Sequence, residues 1–157
     1  MSIIERTDAA TSKARLRLWL RLLGVSRSIE AELRERLRVR DSTLPRFDVM
    51  AALSRAPGGL KMTELSNVLR VSNGNVTGIV DRLEAEGLAV RLPVENDRRA
   101  MLVRLTPRGA ADFALLAAEH ETWVNELLAA VTHWDAEHLA DQLKAVRDSL
   151  AQRERTQ

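Results

Sequence analysis

The chain has 157 residues, 45% of them hydrophobic and 29% charged, with no cysteine and a formal net charge of +2. That is enough chain for one domain with a real core, and no apolar run is long enough to span a bilayer. The lack of cysteine excludes disulfides, thiolate metal sites and thiol-based sensing, and with no signal-peptide pattern at the start a cytoplasmic protein is expected.

The charge is unevenly spread. Residues 13–40 hold nine Lys and Arg against three Glu, whereas residues 109–157 hold four Lys and Arg against nine Asp and Glu. Solvated helix faces would account for either count, but the first segment also suits a polyanion.

The first dozen residues carry no periodic pattern. From Lys13 to about Arg40 the pattern is helical. Leu16, Trp19, Leu20 and Leu23 recur at i, i+3, i+4, i+7, and Val25, Ile29, Leu33 and Leu37 follow at four-residue steps. A helix this long has more apolar surface than one small neighbour covers, so part of it is expected at an interface. Asp41-Ser42-Thr43 breaks the pattern. Pro45 fits the first turn of a second helix with Phe47, Met50, Ala51 and Leu53 inward, stopped by Pro57-Gly58-Gly59. Thr63 is placed to cap a short third helix running to Leu69.

A fourth helix follows within residues 71–87, VSNGNVTGIVDRLEAEG. Val76, Ile79, Val80 and Leu83 form its apolar stripe, Ser72 stands at the expected N-cap, and Gly87 stands at the left-handed C-terminal position. Gly74, Thr77, Gly78 and Asp81 face outward, with Asn75 and Arg82 on the flank. Each exposed glycine costs roughly 1 kcal/mol against alanine. Two readings remain open: an ordinary surface helix, or a helix whose backbone something must approach closely, such as a DNA major groove. A short helix, a tight turn and a second helix with a polar outer face make a helix-turn-helix.

The period then changes to two. Leu88, Val90 and Leu92, then Met101, Val103 and Leu105, predict a hairpin around the polar stretch PVENDRRA, which is the wing of a winged helix. Asp97-Arg98-Arg99 is expected at its turn. An arginine on a narrow β-tip can enter a minor groove, and Asp97 would hold Arg99 in one rotamer through a charge-assisted hydrogen bond. A solvated ion pair worth little is the other reading. Thr106-Pro107 starts a fifth helix, with Phe113, Leu116, His120, Val124, Leu127 and Val131 on one face. Asp135 can cap a sixth, with the stripe Leu139, Leu143, Val146 and Leu150.

The expected fold is therefore mainly α: a winged helix-turn-helix with N- and C-terminal dimerisation helices. Residues 1–40 form an N-terminal arm and a dimerisation and effector helix, 41–106 the DNA-binding domain, and 107–157 the C-terminal dimerisation helices. A symmetric dimer would set two reading helices about one DNA turn, ~34 Å, apart on a palindromic site.

Two motifs carry a resemblance. Asp97-x-Arg99-x-x-x-Val103-x-Leu105-Thr106 with Gly109, and SNGNVTGIVDRLEAEGL leading to Val90-Arg91, resemble the wing and recognition helix of the MarR family of bacterial transcription regulators. The resemblance implies a homodimer that binds double-stranded palindromic operator DNA, most often as a repressor, and is released by a small-molecule effector. It puts major-groove contacts on Ser72, Asn73, Asn75 and Thr77, a phosphate contact on Arg82, and wing contacts on Arg99 and Arg98 with Asp97 orienting. Asn73, nearer the buried side of the helix wheel, would act through the helix N-terminus. The segments LRLWLRLL, TLPRFDVMAAL and VSNGNVTGIVDRLEAEGL followed by DRRA resemble regulators of hydroxycinnamate catabolism. That implies p-coumaroyl-CoA, a related aryl-CoA or a phenolic acid as effector, with Trp19, Leu23, Arg27, Arg46, Phe47 and Met50 as its candidate site. Residues such as Trp19, Phe47 and Met50 are more often plain core.

No cofactor, no metal and no membrane partner is expected. The chain has no P-loop, dinucleotide fingerprint or nucleophile elbow, so an enzyme is not expected, and His120, His133 and His138 lack metal-ligand spacing. The competing class is a winged-helix protein-interaction module without sequence-specific DNA binding. Protein interfaces favour aromatic anchors, and residues 71–106 contain none.

Overall fold

Ala9–Val39 forms one uninterrupted helix, α1, in a computed structural model that describes residues 8–69 and 75–156, with the backbone alone at Arg98. The helix starts four residues before the expected Lys13. Only Leu33 and Leu37 of it are buried. Its last turns are laced by Glu30–Arg34 (3.6 Å), Glu32–Arg36 (3.0 Å) and Glu35–Arg38 (2.6 Å), pairs at the spacing that brings helical side chains together. The end is sharp. Asp41 adopts φ 52°, and the N–H groups of Asp41 and Ser42 donate to the carbonyls of Arg38 and Leu37. These bonds satisfy carbonyls the helix leaves open and turn the chain at once into the next element.

Helix α2 (Leu44–Ser54) opens with the Thr43 hydroxyl accepting from the Arg46 N–H at 3.3 Å and with Pro45 in the first turn. Its core face is Phe47, Val49, Met50, Ala52 and Leu53; Ala51, expected inward, is half-buried. Next comes a strand the periodicity does not announce. β1 (Leu60–Lys61) is two residues long, too short to alternate, and pairs with Val103 and Leu102. Gly59 makes the approach possible, because at φ 98° a side chain there would meet the Val103 carbonyl at 3.0 Å. Helix α3 (Met62–Val68) starts earlier than expected: Lys61, not Thr63, is the N-cap, and its N–H donates to the Glu64 carboxylate at 2.6 Å.

Helix α4 (Val76–Ala85), strands β2 (Ala89–Val94) and β3 (Asp97–Leu105), and helix α5 (Pro107–Leu127) follow. The three strands form an antiparallel sheet in the order β1-β3-β2. α5 ends about three residues short of the expected Ala130. Helix α6 (His133–Glu154) is capped by the Thr132 hydroxyl, which accepts from the Asp135 N–H at 3.2 Å; Asp135 lies in the first turn rather than at the cap.

The chain divides into two compact units, Met1–Glu121 and Thr122–Gln157. In the first, Leu37, Val49, Leu53, Leu65, Val80, Leu83 and Val103 are fully buried. They join α1, α2, α3, α4 and β3 into one core, so the helix-turn-helix and its wing are held by the same packing. In the second, α6 buries none of its residues; Leu139, Leu143, Val146 and Leu150 all stand exposed.

Candidate nucleic-acid interface

α4 keeps the predicted stripe: Val76, Val80 and Leu83 are buried and Ile79 half-buried, while Thr77, Asp81 and Arg82 are exposed. Its start differs. Asn75 is the N-cap, its Oδ1 accepting from the Gly78 N–H at 3.2 Å, in place of the expected Ser72. Ser and Asn are equally good caps, so the two positions were degenerate in sequence. Ser72, Asn73 and Gly74 lie outside the described residues. Gly78 also gains a reason other than a groove: it is half-buried, and a Cβ there would press on the capping side chain of Asn75 at 3.3 Å. At the other end Gly87 takes φ 73° as expected, and Leu88 donates back to the Leu83 carbonyl.

That end is joined to α5 by a compact knot. Thr106 Oγ1 donates to the Gly87 carbonyl (2.7 Å) and accepts from the Gly109 N–H (3.0 Å). The Thr106 N–H donates to the Leu88 carbonyl, and a Cβ on Gly109 would sit 1.9 Å from that same oxygen. The Thr-x-x-Gly tail of the wing motif is therefore a close-packing device at the end of α4.

In the wing, Glu95-Asn96 is the turn, with Asn96 at φ 66°, and Asp97-Arg98-Arg99 opens β3 rather than forming the tip. The pairing Pro93 with Met101 jumps to Val94 with Asp97, so residues 98–100 bulge out of the ladder. Asp97 does not grip the Arg99 guanidinium as expected. Its Oδ1 accepts from the Arg99 backbone N–H at 3.1 Å, a local turn that fixes the bulge instead of a rotamer. Arg99 is exposed and in no ion pair among the described residues.

Two further arginines organise the surface, and sequence reasoning gave neither this role. Arg91 of β2 donates to Asp81 at 2.7 Å and to Glu84, both on α4; the hydrogen bond to Asp81 raises its pKa despite partial burial. Arg46 of α2 forms a two-pronged pair with Glu86 at the end of α4, which holds the Glu86 carboxyl below its ordinary range. Partners ten and forty residues apart leave no periodic trace in a sequence.

Of the six candidate effector residues, Phe47 and Met50 belong to the core, Arg46 is committed to Glu86, Leu23 is half-buried, and Trp19 and Arg27 are exposed. Arg46 and Met50 share a cavity of about 270 Å³ with Arg40, Asp41, Asp112 and Phe113. A larger one, about 560 Å³, lies between α1, α2 and α4. Its rim carries Arg34, Arg38 and Arg82, its apolar wall Leu44, Pro45 and Ile79, and Asn75 and Gly78 reach it from α4 and its N-cap. Ser42 lines it too. The Ser42 hydroxyl is buried and has no hydrogen-bond partner among the described residues. No group of three or more His, Asp or Glu able to hold a metal occurs among the described residues.

A helix-turn-helix whose second helix keeps one polar face exposed, followed at once by a β-wing bearing the exposed Arg99, defines the winged-helix class of nucleic-acid-binding proteins. The MarR family model matches residues 40–100. The chain is 32% identical over 106 residues to the HTH-type transcriptional regulator PecS of Dickeya dadantii, covering 66% of this chain and 64% of that one. It is 44% identical over 71 residues to the multiple antibiotic resistance protein MarR of Salmonella typhimurium, covering 45% and 49%. The matches thus span between about half and two thirds of these curated relatives. Among solved structures, a MarR family transcriptional regulator from Silicibacter pomeroyi superposes with a TM-score of 0.73 at 32% identity over 88% of this chain and 96% of that one. A mutant MarR from E. coli complexed with operator DNA gives 0.66 at 30%, over 89% and 99%. The chain belongs to the MarR family of DNA-binding transcriptional regulators.

Proposed function

We propose that this protein binds palindromic operator DNA as a homodimer in the cytoplasm and represses an aromatic-acid catabolic operon until a small effector releases it. The observation that carries the DNA-binding reading is the pairing of an exposed Thr77 face on α4 with an exposed, bulged Arg99 on β3. One element suits a major groove and the other the adjacent minor groove. The relative solved with operator DNA supports the reading. The exposed stripes of α1 and α6 support the dimer, because apolar surface of that extent is rarely left in water. A protein-docking module is disfavoured by the lack of an aromatic anchor in residues 71–106.

The test is a gel shift on the protein's own upstream region across a salt series. Each phosphate contact should contribute a slope of about −0.9 to log affinity against log salt. Flat, weak, sequence-independent binding would overturn the reading. Transcription from the bound promoter must be read for both signs. A relative 28% identical over 148 residues is named the transcriptional activatory protein BadR of Rhodopseudomonas palustris.

For the effector, the larger cavity is favoured over the residues first singled out. The smaller cavity is lined by two carboxylates, Asp41 and Asp112, whereas no carboxylate lines the larger. The larger has the volume of ordinary ligand sites, an arginine rim for an acid or phosphate, and an apolar wall for a ring. A ligand there touches Asn75, Gly78 and Arg82, and so couples directly to the reading helix. Calorimetric titration with p-coumarate and with p-coumaroyl-CoA separates free acid from thioester. Heat with neither, and no release from DNA, would remove both.

A further inference from the structure

We propose that Arg91 is the positioning residue that sets the wing against the reading helix, so that Arg99 reaches its groove only while Arg91 holds α4. The proposal rests on the DNA-binding reading above and assigns a function to a side chain outside every contact surface named so far.

Arg91 stands near the base of the hairpin, opposite the buried Val103. Three bonds tie it to α4. Nη2 donates to Asp81 Oδ1 (2.7 Å), Nη1 donates to Glu84 Oε2, and the backbone N–H donates to Glu84 Oε1 (3.0 Å). Asp81 lies one turn beyond Thr77, on the exposed face that reads bases. The Arg91 side chain is 22% exposed and Glu84 31%, so that arm of the clamp is part-buried, while Asp81 at 58% stands in solvent.

Geometry makes this position sensitive. β2 runs three residues beyond Arg91 to Val94, a lever of about 10 Å at ~3.3 Å per residue. A rotation of about 10° at the base then moves the bulge by roughly 2 Å, and a hydrogen bond to DNA does not survive that displacement. Charge gives the clamp a second consequence. Without Arg91 two carboxylates beside the reading face would meet phosphates unneutralised. Positioning and neutralisation are separable, because neutral side chains at all three positions remove the bare carboxylates without rebuilding the grip.

The experiment is a double-mutant cycle on the full-length protein, with operator affinity read by fluorescence anisotropy. R99A should weaken wild-type binding roughly tenfold or more, the scale of one good base contact. R91Q should cost a similar factor, and in the R91Q background R99A should cost less than twofold more. Distant sites that act independently add, so coupling is a readout that a purely structural role does not move. Thermal unfolding and sedimentation establish that the variants fold and dimerise; if R91Q does not fold, R91K, which keeps the charge but cannot hold two carboxylates in one plane, takes its place. R91Q/D81N/E84Q should recover only the part of the loss that the bare carboxylates cause and stay well below wild type. Additive losses, or full recovery of affinity in the triple variant, would overturn the proposal while leaving DNA binding intact. Loss of the R99A effect in the wild type, or no operator binding at all, would instead remove the reading on which it stands.

Discussion

Asp97 and Thr77 carry the sharpest residue-scale tests. If Asp97 acts through the Arg99 backbone, an amide serves as well as a carboxylate, since Asn also presents an acceptor oxygen. Asp97→Asn should therefore keep operator affinity or raise it, because a negative charge beside DNA is gone. Asp97→Ala should lose roughly two- to tenfold, matching the ~0.5–1.5 kcal/mol net worth of one hydrogen bond. A guanidinium clamp would give the opposite result for Asn, a clear loss read by the same anisotropy titration. Thr77→Ala should relax base preference more than it lowers nonspecific affinity, as competition with scrambled duplex would reveal; equal losses on both would take Thr77 out of base reading. At this scale the sequence was partly legible. Thr77 and Arg99 stand out because their neighbours in the motif are periodic. Arg91 does not, because its partners lie on another element, and nothing local distinguishes it from a solvated strand arginine.

Elements were more legible than their joints. The stripe of α4, the proline start of α2 and the period change at Leu88 each reflect burial repeating along a regular backbone, which a sequence displays directly. The two-residue β1 and the three-residue bulge in β3 repeat nothing, so only tertiary pairing creates them. The joint at Thr106 and Gly109 is the most exacting. Any side chain at Gly109 collides with backbone, the Leu88 carbonyl, which cannot rotate away. Gly109→Ala should cost about 3 kcal/mol or more of unfolding free energy, measured by urea titration, and should part α5 from the end of α4. Stability within about 0.5 kcal/mol of wild type would mean the approach relaxes easily. A second element-scale test concerns α2 and α5, where His120 stacks on Phe47 at 4.3 Å between ring centroids. Burial holds the His120 pKa below its ordinary value, against the opposing field of Asp48. Below about pH 6.5 the unfolded chain therefore takes up a proton that the folded one resists. Stability should fall as pH is lowered through that point and level off below the folded pKa. His120→Leu should flatten the slope between pH 7 and 5, before carboxylates titrate; an unchanged slope would assign it to other groups.

On the scale of the whole molecule, α1 and α6 each leave an apolar stripe uncovered. Leu139, Leu143, Val146 and Leu150 recur every three or four residues along α6, so they form one stripe, and each is about half exposed, 44–55%. α1 adds Leu16, Trp19 and Leu20 in the same condition. Full burial of each Leu is worth about 1.5–3 kcal/mol, so stripes of this kind favour association strongly. A palindromic operator needs that association, since two reading helices held on one scaffold gain about 10²- to 10⁴-fold over either alone. Leu143→Asp places a charge in the middle of the α6 stripe, the seam of the proposed dimer. An aspartate in the seam must lose its hydration or keep the seam open. No core residue of the protomer is touched, so helical content and the local fold should persist. Sedimentation should show a shift toward monomer at micromolar protein, and operator affinity should fall with it while weak nonspecific binding remains. A variant that stays fully dimeric would move the seam elsewhere, whereas a monomer that still bound the operator at wild-type affinity would show that one reading head suffices.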